Sequence, residues 1–183
     1  QGADRVRLVV VNLLDALLML LVPFIIGVSV FAPFVTRLLY GSTFDGSAHL
    51  LRILVWWAIV NLIGTVLGQT LWATDRERIS LVIGVAVATT SLVAHLILVP
   101  LLGLNGVVVA TGLAAVVLVV MHYRPMSRTV SVGDLLSATW RSGVAGLAQL
   151  VSLVGLVAWG ALAGGAASLV VYVGVLWLVT RIR

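Results

Sequence analysis

The sequence contains no cysteine and no lysine, and only 9% of its 183 residues are charged. Without thiols it forms neither disulfides nor thiolate metal sites. Soluble domains usually carry charge on about a quarter of their residues, whereas this chain is 62% hydrophobic and has a mean hydropathy of +1.23. These values exclude an ordinary soluble domain and indicate an integral membrane protein.

Long apolar stretches recur along the whole chain. A helix of about 20 residues crosses a hydrocarbon core of about 30 Å, and six such helices are predicted, at residues 8–35, 50–72, 79–99, 104–123, 137–158 and 161–180. The sequence therefore predicts an all-α fold, a polytopic bundle of six transmembrane helices. The first helix is overlong and should tilt, kink or protrude. Pro23 near its middle removes a backbone hydrogen bond and supplies a reason to kink.

The basic residues are distributed unevenly between the two sides of the predicted spans. Only Arg37 and Arg52 fall on one side, and nine fall on the other: Arg5, Arg7, Arg76, Arg78, Arg124, Arg128, Arg141, Arg181 and Arg183. Arginine accumulates on the cytoplasmic side of membrane proteins. The sequence therefore predicts that both termini are cytoplasmic and that the protein lies in the cell inner (cytoplasmic) membrane as a multi-pass protein.

The connections suggest how the chain is organised. Residues 1–123 form a four-helix part, residues 124–136 a cytoplasmic connector, and residues 137–183 a C-terminal transmembrane hairpin. Within the connector, Ser131 and Asp134 are spaced as at a helix start. The chain opens with Gln1 and a charged stretch rather than a signal sequence. We therefore expect it to be a piece of a longer protein.

Asp15 is the most informative single residue, because a carboxylate about two turns inside a membrane helix is costly and should face the bundle or a wet cavity. One interpretation is an ion-coupling site, with Asn12 one turn earlier on a nearby face. The other is an interfacial carboxylate paired with Arg5 or Arg7. Both interpretations remain open from the sequence.

The second predicted helix carries a polar stripe. Its members fall within an arc of about 100° at the helical period: Asn61, Thr65, Gly68, Gln69 and Trp72. The stripe either lines a cavity for a polar head group or hydrogen-bonds neighbouring helices as packing contacts. Arg52, at the outer end of the same helix, either meets a substrate phosphate or extends to the outer membrane surface.

The sequence offers little for catalysis. We find no nucleophile beside a base, no phosphate-binding loop, no dinucleotide fingerprint and no metal-ligand spacing, so we expect no enzyme, no catalytic residues, no metal and no cofactor. The net charge of +5 lacks the basic stripe with interleaved aromatics that nucleic-acid binding requires. A membrane glycosyltransferase would need acidic residues in an outer loop, where Asp45 stands alone.

Two stretches together resemble a known family. In residues 21–54 a proline-containing helix leads to Tyr40-Gly41, and the following helix ends in a Q-x-L-x-A pattern within residues 67–76. Residues 99–111 read VPLLGLNGVVVAT, which resembles the I-P-x-x-G-x-x-G-A-A-x-A-T junction of the polysaccharide flippases in the multidrug/oligosaccharidyl-lipid/polysaccharide (MOP) exporter superfamily. Val107 and Val108 depart from the small pair in that junction.

The resemblance implies the C-terminal part of a two-lobe exporter that flips undecaprenyl-diphosphate-linked oligosaccharide by alternating access, as in O-antigen or lipopolysaccharide export. Its expected partners are membrane lipid, the lipid-linked oligosaccharide, and a polysaccharide polymerase or glycosyltransferases. The alternatives are a lipid II or drug exporter of the same superfamily and a non-transporting subunit or scaffold of an assembly complex. The candidate site residues come from the stripe and from the first helix, and none is carried over from the family.

Overall fold

The computed structural model describes residues 2–41, 46–156 and 161–181. Within these ranges the chain forms helices and no strands, so the predicted all-α bundle is confirmed. The helices are α1 (Gly2–Val30), α2 (Ala32–Tyr40), α3 (Ala48–Ala73), α4 (Glu77–Leu102), α5 (Leu104–Met126), α6 (Val132–Leu156) and α7 (Ala161–Arg181).

The first predicted span is interrupted at Phe31, not at Pro23. The helix continues through Pro23 to Val30, and α2 starts again at Ala32 with Pro33 in its first turn. A proline is tolerated in a first turn because its missing N–H has no partner there. The prediction of one continuous helix over residues 8–35 is therefore wrong, because the overlong segment is divided into a long and a short helix. The kink expected at Pro23 stays a prediction.

The six long helices alternate in direction along the chain. Helices α1 and α6 run parallel, because Arg7 meets Asp134 at one level and Val22 meets Gly146 further along. Helix α7 runs opposite to α1, since Tyr172 contacts Met19 and Gly165 lies beside Phe31. This alternation is the arrangement that six successive crossings require; the number of crossings and the side of the termini stay predictions.

Five of the described helices are long and apolar enough to span a bilayer, and α6 is not among them. Helix α6 is 25 residues long but carries Asp134, Arg141 and Gln149. Its buried positions share one stripe at helical spacing, namely Asp134, Ala138, Ser142, Ala145, Gly146, Gln149 and Leu153. The polar character of α6 is therefore directed at other helices of the chain.

The described helices pack into two groups that share α1. Helix α3 packs on α5, α5 on α4, and α1 on α3. Helices α6 and α7 pack on each other and on α1, and they make no backbone contact with α3, α4 or α5 within the described residues. Within the described residues the backbone of the α6–α7 hairpin therefore comes closest to α1, while its side chains also join clusters that include α3 and α5 residues.

Candidate functional site

Asp15 pairs with a residue that the sequence analysis did not consider as its partner. Arg141 Nη1 on α6 lies 3.6 Å from Asp15 Oδ2, and the two side chains are only 14% and 17% exposed. In the interpretation that paired Asp15 with Arg5 or Arg7, the structure instead supplies Arg141, and Arg7 pairs with Asp134. The charge pair joins two parallel helices about two turns inside the bundle, where mutual neutralisation lowers the cost of placing both groups in a membrane.

Arg7 instead forms a bidentate ion pair at the start of α6. Its Nε donates to Asp134 Oδ2 at 2.9 Å, and its Nη2 donates to Oδ1 at 2.5 Å. The Ser131 hydroxyl and backbone N–H also donate to Asp134 Oδ2, at 2.8 and 2.9 Å. The Arg7 guanidinium, followed by the Ser131 donors, holds the pKa of the Asp134 carboxyl well below its usual range. The predicted helix start at Ser131 and Asp134 is confirmed.

The polar stripe of α3 divides between two directions. Thr65 and Gln69 are exposed on the bundle surface, and Asn61 is half-buried and donates from Nδ2 to its own helix, at the Trp57 carbonyl, 3.0 Å away. Gly68 instead faces α5, where an added Cβ would lie 3.0 Å from His122 Nε2. The stripe is thus a packing contact at Gly68 and a surface at Thr65 and Gln69.

Arg52 and Asn12 occupy exposed positions. Arg52 Nε donates at 3.0 Å to the Ser29 carbonyl, near the interruption between α1 and α2. Asn12 is exposed on α1, whereas Asp15 is half-buried against α6. The structure does not bring the substrate-cavity candidates and the ion-coupling candidates into one pocket, and the roles proposed for them stay predictions.

An apolar groove of about 930 Å³ runs between α1–α2 and the α6–α7 hairpin. Its wall on α1 and α2 includes Pro23, Gly27, Phe31 and Phe34, and small residues around Gly165 form the opposite wall. Gln149, 1% exposed, lies at the groove, and its Oε1 has no hydrogen-bond partner within the described structure. The groove offers a largely apolar surface with an unpaired amide oxygen at Gln149, which suits a chain-like hydrophobic molecule.

Three residues that make contacts between helices were missed by the sequence analysis: Arg141, Tyr172 and His122. Arg141 had been counted only among the cytoplasmic arginines, although its place inside a predicted span was a signal that it pairs with Asp15. The Tyr172 hydroxyl donates to the Met19 carbonyl at 2.8 Å, and the buried His122 lies between Ser80 and Gly68. No sequence pattern links these last two to their partners.

The described residues hold no cluster of three or more metal-ligating side chains. Asp45, the acidic residue expected in the outer loop, lies outside the described residues. The geometry is therefore one of helix docking, an apolar groove and an exposed polar face.

Two comparisons with known proteins bear on the chain. Residues 1–179 match the family described as Lipid II flippase MurJ. The probable low-salt glycan biosynthesis flippase Agl15 of Haloferax volcanii is 26% identical over 129 residues, which are 70% of this chain and 27% of that protein. No solved structure matches the chain. The chain thus spans about a quarter of the curated relative that it resembles.

The matches agree with the helical architecture. Both describe flippases, which are transporters rather than catalysts, and the expected resemblance to flippases of the MOP superfamily is confirmed. With its several apolar helices the protein is a multi-pass protein of the cell membrane. Because the family match covers nearly every residue, this chain belongs to the lipid II flippase MurJ family.

Proposed function

We propose that the protein translocates a polyprenyl-diphosphate-linked saccharide across the cytoplasmic membrane by alternating access. The observation that carries this proposal is the family match over residues 1–179. Such a substrate joins a long apolar tail to a charged, hydroxyl-rich head. A carrier for it needs an apolar surface for the tail and, beside that surface, a polar route for the head.

The groove between α1–α2 and the hairpin supports a site for the tail. It is lined by apolar side chains and by small residues such as Gly27 and Gly165, which leave room for a flexible chain. In lipid, apolar surface is not itself a driving force, so a groove of this size can exchange one hydrocarbon chain for another at little cost. That property suits a carrier, which must both accept and release its substrate.

The exposed face of α3 supports a route for the head group. Thr65 and Gln69 lie on this face, and half-buried Asn61 adjoins it. Polar side chains in a membrane helix face protein or water rather than lipid. We therefore assign this face to a central cavity that the rest of a two-lobe exporter would complete, with Asp15 and Asn12 as candidates for ion coupling.

Two saccharide classes compete, and each has its own support. The family name favours lipid II, whereas the name of the Haloferax volcanii relative favours a lipid-linked glycan, as in polysaccharide biosynthesis. A polymerase or glycosyltransferase is a candidate protein partner in the second case. Transport rather than catalysis is proposed in both.

Depletion of the gene tests the proposal. We expect a lipid-linked saccharide to accumulate on the inner leaflet, measured by mass spectrometry of extracted lipids together with its accessibility to an added glycosidase in everted vesicles. Accumulation of lipid II identifies the first class, and accumulation of a lipid-linked oligosaccharide with intact lipid II export identifies the second. Unchanged levels of both on the inner leaflet would contradict the proposal.

A matched pair of variants tests the groove. Gly165→Leu places a branched side chain against the groove, where an added Cβ lies 3.7 Å from the Phe31 ring. Gly174→Leu on the same helix is the control, since an added Cβ there meets no atom within 4 Å. We expect export to fall several-fold in the first variant only. Equal export by both, at equal protein levels, would remove the groove from the mechanism.

A further inference from the structure

Two prolines of the first span leave backbone carbonyls without their helical partner. In a helix each N–H bonds to the carbonyl four residues earlier, and proline has no N–H. Pro23 therefore cannot satisfy the Met19 carbonyl, and Pro33 cannot satisfy the Ser29 carbonyl. In a membrane each such unsatisfied group is costly, because there is no water to replace the missing donor.

Side chains from two other helices take these two carbonyls. The Tyr172 hydroxyl of α7 donates to the Met19 carbonyl at 2.8 Å. Arg52 Nε of α3 donates to the Ser29 carbonyl at 3.0 Å. Tyr172 is 2% exposed, so its hydroxyl has no access to water either. Each orphan acceptor has thus been matched with a donor from a neighbouring helix.

We propose that Pro23 forms a docking socket on α1 for Tyr172, and that this bond positions the C-terminal hairpin on the preceding helices. In this role Pro23, which lies within the uninterrupted helix α1, frees a carbonyl that α7 can bind. The second pair, Pro33 and Arg52, fixes the position of α3 beside the interruption at Phe31. This inference does not depend on the substrate and goes beyond the proposed transport function.

The position of the Met19–Tyr172 bond along α1 indicates its role. The backbone of the hairpin comes closest to α1, and the Met19–Tyr172 bond lies along α1 beyond the Arg7–Asp134 and Asp15–Arg141 pairs. Leu20 and Pro23, close to Met19, already line the apolar groove. A bond at this depth therefore sets how far α7 stands from α1, and with it the width of the groove.

A double-mutant cycle tests the socket in the full-length protein, by equilibrium unfolding in mixed detergent micelles. Tyr172→Phe removes only the hydroxyl, and we expect the unfolded-to-folded ratio to rise about threefold to tenfold. Pro23→Ala restores the N–H that bonds Met19, so in that background Tyr172→Phe should change the ratio less than about twofold. An equal effect of Tyr172→Phe in both backgrounds would overturn the socket.

Tyr123→Phe is the matched control, because Tyr123 packs against a separate cluster around Val66 and Leu71. Its effect should be the same with and without the Pro23→Ala substitution. A spectroscopic readout covers variants that unfold irreversibly: [1-13C]methionine marks the Met19 carbonyl, assigned with Met19→Leu. Tyr172→Phe should shift that resonance when Pro23 is present and leave it almost unmoved in the Pro23→Ala background. An unmoved resonance in the protein that retains Pro23 would equally overturn the socket.

Discussion

The two helix groups that share α1 differ in the contacts between their helices. In the α3–α4–α5 group, glycines let the helices approach closely: an added Cβ at Gly64, Gly106 or Gly112 would fall within 2.1–2.7 Å of a neighbouring atom. In the α1–α6–α7 group, the contacts include the Arg7–Asp134 and Asp15–Arg141 pairs and the Tyr172–Met19 bond. Close packing is the main feature of the first group. The second group also packs closely, since an added Cβ at Gly146 would lie 2.6 Å from Val22, and it adds polar bonds to that packing.

Both kinds of contact follow from the interactions that stabilise helix association in lipid. Apolar surfaces gain little from leaving lipid for protein, so helices associate through close packing or through polar contacts that lipid cannot replace. Close packing fixes a single distance, because backbones in contact cannot adjust. Polar contacts fix the register of two helices through a few atoms. The apolar groove lies in the second group.

The largest effect on stability is expected at a close contact between two helix backbones. Gly106→Ala would place a Cβ 2.1 Å from the Leu98 carbonyl oxygen, a backbone atom that cannot rotate away. We expect a loss of about 3 kcal/mol in the free energy of unfolding, measured by detergent-induced unfolding. Gly84→Ala is the control, since an added Cβ there meets nothing within 4 Å. Similar losses in both variants would show that packing at Gly106 is not special.

The next effect belongs to the buried charge pair. Asp15→Asn leaves Arg141, which is 14% exposed, without its counterion, and we expect a loss of about 2 kcal/mol because partial exposure moderates the penalty for an unpaired charge. The same unfolding measurement on Asp15→Asn with Arg141→Gln should show a smaller loss than the sum of the two single losses. Additive losses would show that Asp15 and Arg141 do not interact. Unchanged export by a stable Asp15→Asn protein would show that Asp15 is not an ion-coupling residue.

A smaller effect, dependent on pH, is expected at the start of α6. Because Arg7 and Ser131 lower the pKa of Asp134, the carboxylate contributes stability above its unfolded pKa of about 3.9 and loses it as the pH falls from there toward the folded value. Asp134→Asn should therefore be less stable than wild type at pH 7, with the difference narrowing below about pH 4. Thermal unfolding of both proteins at pH 7 and at a pH below about 4 checks this. An equal difference in stability at the two pH values would refute it.

The smallest effect on stability is expected at the exposed face of α3. Gln69→Leu and Thr65→Val should each change the free energy of unfolding by less than about 0.5 kcal/mol, because neither side chain is buried. If this face lines the proposed head-group route, export should nevertheless fall. Thr89→Val is the control, since its hydroxyl bonds its own helix at the Val85 carbonyl. Normal export by all three would make the α3 face an ordinary protein contact.

Much of the fold could be predicted from the sequence. Apolar stretches of membrane length located the six long helices, and the Ser131–Asp134 spacing located the start of α6. The interruption at Phe31 was missed because a proline within a helix and a proline in a first turn look alike in sequence. Only the tertiary surroundings of Pro23, where Tyr172 takes the freed carbonyl, show why α1 continues there.

The site was less predictable. Asp15 was recognised from its cost in a membrane, but its partner Arg141 lies on a helix far along the chain, and helical periodicity carries no information about such distances. The stripe on α3 was identified correctly as a set, yet Gly68 and Gln69 turn to different surroundings. Which part of an amphipathic arc meets a neighbour depends on helix crossing, and the groove itself exists only between helices.

The order of charges on α1 and α6 constrains how the hairpin can be inserted. Along α1 an arginine precedes an aspartate, and along α6 an aspartate precedes an arginine. Turning α6 end over end against the same face would set Arg7 opposite Arg141 and Asp15 opposite Asp134. Like charges would then repel in a medium that screens them poorly. The order of these four charges therefore favours the observed parallel arrangement of α1 and α6 over the reversed one.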